Sequence, residues 1–162
     1  MCWRFHSGKA AGFTLIELIA VIIILGIVSV FVTPLLSPKS AFDERFFYDD
    51  ILQALRFSQR LAVSSGCAVQ VNFISTGYTL KQDQNCNLAS PSFIKNPLRP
   101  GSDEVYSNTS LPAGSVYSYS INPVVFNSLG QALNSASSVI SQSTITIGSR
   151  TLKVDGETGF AR

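Results

Sequence analysis

Glu17 is the residue that most needs a chemical reason. It is the one charge in an otherwise apolar run from Gly12 to Pro38, GFTLIELIAVIIILGIVSVFVTPLLSP. Leu or Val there would hold lipid better, and an ionisable group at membrane depth is a functional-site hypothesis by default. Other candidate chemistry is sparse. The single histidine, His6, lies near the N-terminus, so the rest of the chain lacks the imidazole of Ser-His-Asp and Cys-His machinery. There is no G-x-G-x-x-G and no phosphate loop, and Cys67 with Cys86 alone does not make a structural zinc site. The acidic pairs Asp49-Asp50 and Asp103-Glu104 could be imagined as acid/base dyads, but adjacent residues on a helix diverge, and both pairs read as solvated surface. Asp155 and Glu157 in a Gly-rich turn offer Ca²⁺ too few oxygens. The expectation is a protein with no catalytic residue, no metal and no cofactor.

The element that must position Glu17 is a helix. Leu18 to Pro38 contains no ionisable residue, and at 1.5 Å per residue this stretch spans about 31 Å, enough to cross a bilayer core. Residues 1–12, MCWRFHSGKAAG, carry Arg4 and Lys9, which favour retention on the cytoplasmic side. A secretory signal would have small residues after its apolar core. Here Ala10-Ala11-Gly12 precede it, so a cut there would remove the basic leader and leave the anchor.

The residues Gly12-Phe13-Thr14-Leu15-Ile16-Glu17-Leu18 closely resemble the processing site of type IV prepilins, the superfamily of pilins, minor pilins and pseudopilins. The resemblance implies cleavage by a prepilin peptidase between Gly12 and Phe13, N-methylation of the Phe13 amine, and an assembly role for Glu17, whose partner would be the Phe13 amine of a neighbouring subunit. It also implies an inner-membrane protein with a periplasmic C-terminal domain, delivered into a fibre by a membrane assembly platform and touching other pilins through its first helix. Pro34 and Pro38 each remove a helix hydrogen bond and Gly26 adds a weak point, so a bend is expected near 30–38.

Charge and cysteine count fit a cut after Gly12. The whole chain has 12 Lys plus Arg, 10 Asp plus Glu and a net charge of +2. Losing Arg4 and Lys9 leaves a neutral mature chain, which argues against a nucleic-acid partner. Cys2 leaves with the leader, and Cys67 and Cys86 remain as a pair. In an exported domain they read as a disulfide, with two free buried thiols as the alternative.

Residues 39–66 read as the amphipathic half of the same helix. Phe47, Ile51, Leu55 and Ala62 mark an apolar stripe, flanked by Tyr48, Leu52 and Leu61. Asp49, Gln53, Arg56 and Arg60 mark a polar one, with Arg45 and Asp49 spaced as an i,i+4 pair. Phe46 and Phe57 fall toward the polar side and suit either a fibre contact or the core edge. Gly66 is the helix stop. From Cys67 the period becomes two: Val69, Val71 and Phe73, a turn at Ser75-Thr76-Gly77, then Tyr78, Leu80 and Gln82. This hairpin brings Cys86 back toward Cys67.

Beyond it, 87–112 reads as a long loop with one short strand near Phe93-Ile94 and a sequon at Asn108-Thr109-Ser110. A strand over Val116–Ile121 is broken at Pro123 and resumes at Val124–Phe126. Residues 134–143 hold five Ser in ten and read as an exposed connection. Two strands, Thr144–Ile147 and Thr151–Val154, and a closing turn at 155–159 finish the chain. The order FNSLGQ, STITIG, RTLKVDGETGFAR resembles the C-terminal pattern of FimT/GspH-type minor pilins. With the two cysteine positions it looks most like the MshC type of mannose-sensitive haemagglutinin (MSHA) pili.

The expected fold is α+β and type IV pilin-like: a leader (1–12), a transmembrane half-helix (13–38), an amphipathic half-helix (39–66) and an antiparallel β head (67–162). The expected function is that of a minor pilin at or near the fibre tip or priming assembly. The alternatives are a GspH-like pseudopilin of type II secretion and a FimT-like DNA-binding pilin, which would need clustered cations near the C-terminus, where Arg150, Lys153 and Arg162 are the only candidates.

Overall fold

The computed structural model describes residues 12–32, 39–87 and 89–162. The chain forms two units, Met1–Lys39 and Ser40–Arg162. The first contains α1, Leu15–Val32. It runs without interruption through Gly26, where no weak point shows. Pro34 and Pro38, the other expected bend residues, lie outside the described residues. Among the described residues no helix is long and apolar enough to cross a membrane. The 18 residues of α1 span about 27 Å, against a core of about 30 Å, and the remainder of the apolar run, 33–38, is not among those described.

The second unit is an α+β head. Helix α2, Lys39–Ser65, lays Phe47, Ile51, Ala54, Leu55 and Ala62 into the core at helical spacing. Ser58 shares that face and is satisfied by donating to the Ala54 carbonyl at 2.7 Å. Gly66 stops the helix at φ 73° and donates its N–H to the Ala62 carbonyl at 3.0 Å, the left-handed cap that glycine adopts at little cost.

Two antiparallel sheets receive α2. In the larger, β1 (Val69–Ile74) pairs with β2 (Gly77–Asp83) through the expected tight turn. Here β3 (Phe93–Lys95) and β4 (Ser107–Asn108) pair with β2, while β6 (Val124–Phe126) pairs with β1 and β7 (Ala132–Leu133) with β6. The smaller sheet is β5 (Tyr117–Tyr119), β8 (Gln142–Ile147) and β9 (Arg150–Asp155). Alternation points Val69, Val71 and Phe73 inward on β1. All three residues of β6 are buried because its outer face is covered too: Val125 packs with Ala68, Leu133 and Phe93.

Three expectations change here. The strand over Val116–Ile121 is shorter, and β5 and β6 belong to different sheets. The Asn122 side chain bridges the change, accepting from the Phe73 N–H and donating to the Phe73 carbonyl, both at 2.8 Å, so the β1 ladder is continued by a side chain. The loop 87–112 carries two strands rather than one. The Ser-rich stretch 134–143 is not simply an exposed connection: Ile140 and Ser143 are buried and β8 starts at Gln142. The Ile140 backbone lies close against the turn at Gly156, where an added Cβ would overlap the Ile140 carbonyl.

Candidate functional site: the helix entrance and the solvent side of the head helix

At the entrance to α1, Thr14 caps the helix. Its carbonyl accepts from the N–H of Glu17 at 3.1 Å and of Leu18 at 3.2 Å, and its hydroxyl accepts from the Glu17 N–H at 3.3 Å. Thr followed three residues later by Glu is a capping-box pattern, a signal legible in the sequence but overlooked above. The acid therefore sits in the first turn, where the helix dipole favours negative charge. Gly12 and Phe13 precede the helix in exposed chain, and Phe13 is 84% exposed. Leu15, Ile16, Leu18 and the apolar residues through Ile27 are likewise exposed, a surface suited to lipid or other helices.

The head carries two carboxylate hubs, one half-buried and one buried, that were not foreseen. Asp50 is no solvated surface acid. Its side chain is 18% exposed, and it accepts from the Tyr78 hydroxyl at 2.7 Å, the Asn108 amide at 2.8 Å and the Arg99 guanidinium at 3.0 Å. This ties the 96–112 strap to α2. Burial, then the hydrogen bond and charge of Asp50, push the Tyr78 hydroxyl far above its ordinary value. Burial also raises Tyr106, with Asp50 adding to it. For Arg99, burial acts downward, but the Asp50 bond and charge more than offset it, and the net shift is upward. The Arg99 guanidinium also lies 4.6 Å from the Tyr106 ring centroid. Asp49, its sequence neighbour, faces out and among the described residues makes only a 3.9 Å pair with Arg45. The second hub, Asp83, is 1% exposed. It accepts from the backbone N–H groups of Asn85, Asn87 and Ser92 at 2.8 to 3.2 Å and so holds the chain around Cys86.

Cys67 and Cys86 are disulfide-bonded, with Cα atoms 4.2 Å apart. The bond joins the residue just past α2 to the loop after β2. The two doubtful phenylalanines divide: Phe57 stacks on Tyr106 with centroids 4.9 Å apart, while Phe46 is 71% exposed. Tyr117 joins the sheets by donating to the Gly77 carbonyl at 3.1 Å, and burial raises its hydroxyl well above the usual range.

Of the three cations considered for DNA, Lys153 and Arg162 are brought together, exchanging two backbone hydrogen bonds at 2.8 and 3.0 Å. Arg150 is not with them: it lies 5.7 Å from the Tyr48 ring centroid on the α2 side. In the closing turn, the Asp155 carboxylate accepts from both the N–H and the hydroxyl of Thr158, which holds it below the usual carboxylate range. Glu157 accepts from the Gln131 amide at 3.2 Å. Asp155 thus closes its own turn while Glu157 reaches across to Gln131, and no metal-ligating cluster of three or more such groups occurs among the described residues.

Comparison with known proteins agrees with this architecture. The profile described as "Prokaryotic N-terminal methylation motif" matches residues 7–33, and that described as "Type II transport protein GspH" matches residues 48–158. No curated protein sequence matches at a significant level. Among solved structures, two crystal forms of the Pseudomonas aeruginosa type IV minor pilin FimU share the fold. One has a TM-score of 0.51 at 16% identity over 73% of this chain and 90% of that one; the other has 0.52 at 16% over 77% and 91%. With an N-terminal methylation motif on an apolar helix and a GspH profile spanning most of the head, the chain belongs to the GspH family, within the type IV pilin and pseudopilin superfamily.

Proposed function

We propose that the chain is a minor pilin of an MSHA-type pilus, a structural assembly subunit and not an enzyme, placed at or near the fibre tip or priming assembly. The observation that carries this reading is the pairing of an exposed apolar helix, entered through a Thr14-capped turn bearing Glu17, with a head that has its own core. In this reading a prepilin peptidase cuts after Gly12 and the new Phe13 amine is methylated. The protein waits in the inner membrane with its head in the periplasm until the assembly platform draws it into the fibre. Glu17 then meets the Phe13 amine of a neighbouring pilin, whose opposite charge offsets the desolvation of the carboxylate. The position of Cys67 just past α2 and of Cys86 past the hairpin supports the MSHA type.

N-terminal sequencing of the fibre-assembled protein is expected to start at methylated Phe13; a start at Met1 ends the processing claim. Glu17→Val is expected to insert normally but to leave the fibre fraction, and undiminished incorporation would refute the role of Glu17. A second reading, a minor pseudopilin of type II secretion, is favoured by the GspH match over the head. Deleting the gene separates the two: loss of surface pili with normal secretion fits the first, and the reverse fits the second.

A further inference from the structure

Lys39 is the first ionisable side chain after Glu17 and the first residue of α2, so it marks where the chain leaves an apolar surrounding. Three large apolar side chains left exposed on the head lie just beyond it: Phe42 is 63% exposed, Phe46 71% and Val116 64%. Phe42 and Phe46 stand four apart and share a helix face, turned away from the core that Phe47 and Ile51 enter. Val116 belongs to the core side of the helix. There the Glu44 carboxylate accepts from the Ser115 hydroxyl at 2.9 Å and lies against Gly148, whose N–H donates to the Val116 carbonyl at 2.7 Å. Phe42, Glu44 and Phe46 stand about 5, 8 and 11 Å beyond Lys39 along α2, and helical side chains lean back toward the N-terminus. The headgroup layer on one side of a bilayer is about 5–8 Å deep. Charge at this end cancels: Lys39, Arg45 and Arg150 are balanced by Asp43, Glu44 and Asp49, with Arg45 paired to Asp49 at 3.9 Å. Residues 105–149, which include the loop leading to Val116, contain no Asp, Glu, Lys, Arg or His.

We propose that Phe42, Phe46 and Val116 form an apolar collar around α2 that sits in the headgroup layer of a phospholipid bilayer while the subunit is membrane-bound. Lipid is the occupant for a reason of chain length. The sequence is apolar up to Pro38, and three residues of chain reach at most about 11 Å, so Phe42 stays within reach of the interface whatever the direction of α2. The other exposed apolar groups do not. Val63 is about 32 Å beyond Phe42 along the helix, and Leu129 adjoins Gly130, which lies against Val63. Balanced charge gives the collar no preference for anionic headgroups, and insertion of apolar side chains serves with zwitterionic lipid alone. Contact on both sides of α2 sets the height of the head above the bilayer and limits its rocking. This inference rests on the membrane-anchored subunit reading and says what the head touches before assembly.

Trp3 is the single tryptophan, so Trp3→Phe leaves a full chain into which one tryptophan is placed at a time: Phe42→Trp, Val116→Trp, or Leu129→Trp as the distant control, a site 79% exposed. Each chain is reconstituted in phosphatidylcholine vesicles brominated either near the acyl carbonyl or near the chain end. Positions 42 and 116 are expected to lose most of their fluorescence to the shallow bromine and little to the deep one, with no loss at 129. Mixing in phosphatidylglycerol or raising the salt should change nothing. Phe42→Asp with Phe46→Asp in one chain should lift the collar and weaken the quenching at 116. Quenching at 42 or 116 no greater than at 129, quenching that needs phosphatidylglycerol, or a quenched 42 beside an unquenched 116 would overturn the proposal. So would quenching at 116 unmoved by the two aspartates, or emission that shifts to the blue without bromine quenching, the sign that protein covers these side chains. In all those cases the chain still resists extraction by alkaline carbonate. A chain that carbonate strips from the vesicles fails the anchored-subunit reading itself, and this inference with it.

Discussion

Replacing Asp50 with Ala is the most direct test of how the head holds its strap. The carboxylate is the common acceptor for Tyr78, Asn108 and Arg99. Tyr78 is fully buried, so without Asp50 its hydroxyl loses its only hydrogen-bond partner among the described residues away from water, at a cost of about 1–3 kcal/mol. The Arg99 pair adds little, because the guanidinium side chain is 35% exposed and solvent screens such pairs to under about 1 kcal/mol. Half-buried Asn108 loses one bond of similar size. The expected loss is about 2–4 kcal/mol, a drop in melting temperature on the order of 10 °C for a head this size. Urea unfolding of residues 40–162, the unit with its own core, measures it. A cycle with Tyr78→Phe isolates the mechanism. In the wild-type background Tyr78→Phe should cost about 1 kcal/mol by removing a hydrogen bond. In the Asp50→Ala background it should be neutral or stabilising, because it removes an orphaned hydroxyl. If Asp50→Ala costs under about 0.5 kcal/mol, or the two substitutions are additive, the hub is not what holds the strap.

Cys67→Ser with Cys86→Ser opens a loop of sequence separation 19 and should destabilise the head by roughly 3 kcal/mol in urea. Tyr78, Tyr106 and Tyr117 are all raised, so from about pH 10 the unfolded chain loses protons that the folded head keeps. Stability present below pH 10 should then fall by as much as about 1.4 kcal/mol per pH unit for each of the three, and their share of the tyrosinate absorbance should appear together with unfolding, not before it. Ser143 buries a hydroxyl with no partner among the described residues, so Ser143→Ala should be neutral or stabilising by up to about 1 kcal/mol by thermal melting. Residues 40–162 should not shift duplex DNA at physiological salt, since Lys153 and Arg162 stand together without Arg150.

What the sequence could and could not disclose follows from the range of the interactions. The core face of α2, its glycine stop, the first hairpin and the β8–β9 pair are written in local periodicity, and each was legible. The disulfide was read from the even cysteine count of an exported domain, and the hairpin agrees with it by bringing Cys86 back toward Cys67. Asp50 was misread because its meaning is set by Arg99 and Asn108, 49 and 58 residues away. Nothing within one helical turn distinguishes it from Asp49, whose environment is the opposite. The separation of β5 from β6 was hidden for the same reason: a proline marks a break, but only the distant partners β8 and β1 say that the two pieces join different sheets. The polar stripe of α2 is the converse case. Its spacing was visible as a list of charges, yet the two clefts beside it needed the fold, because Arg99, which lines both, is brought to the helix by the strap that Asp50 holds. A substitution at Asp50 therefore does more than loosen a loop: it releases Arg99, which lines the clefts on both sides of it.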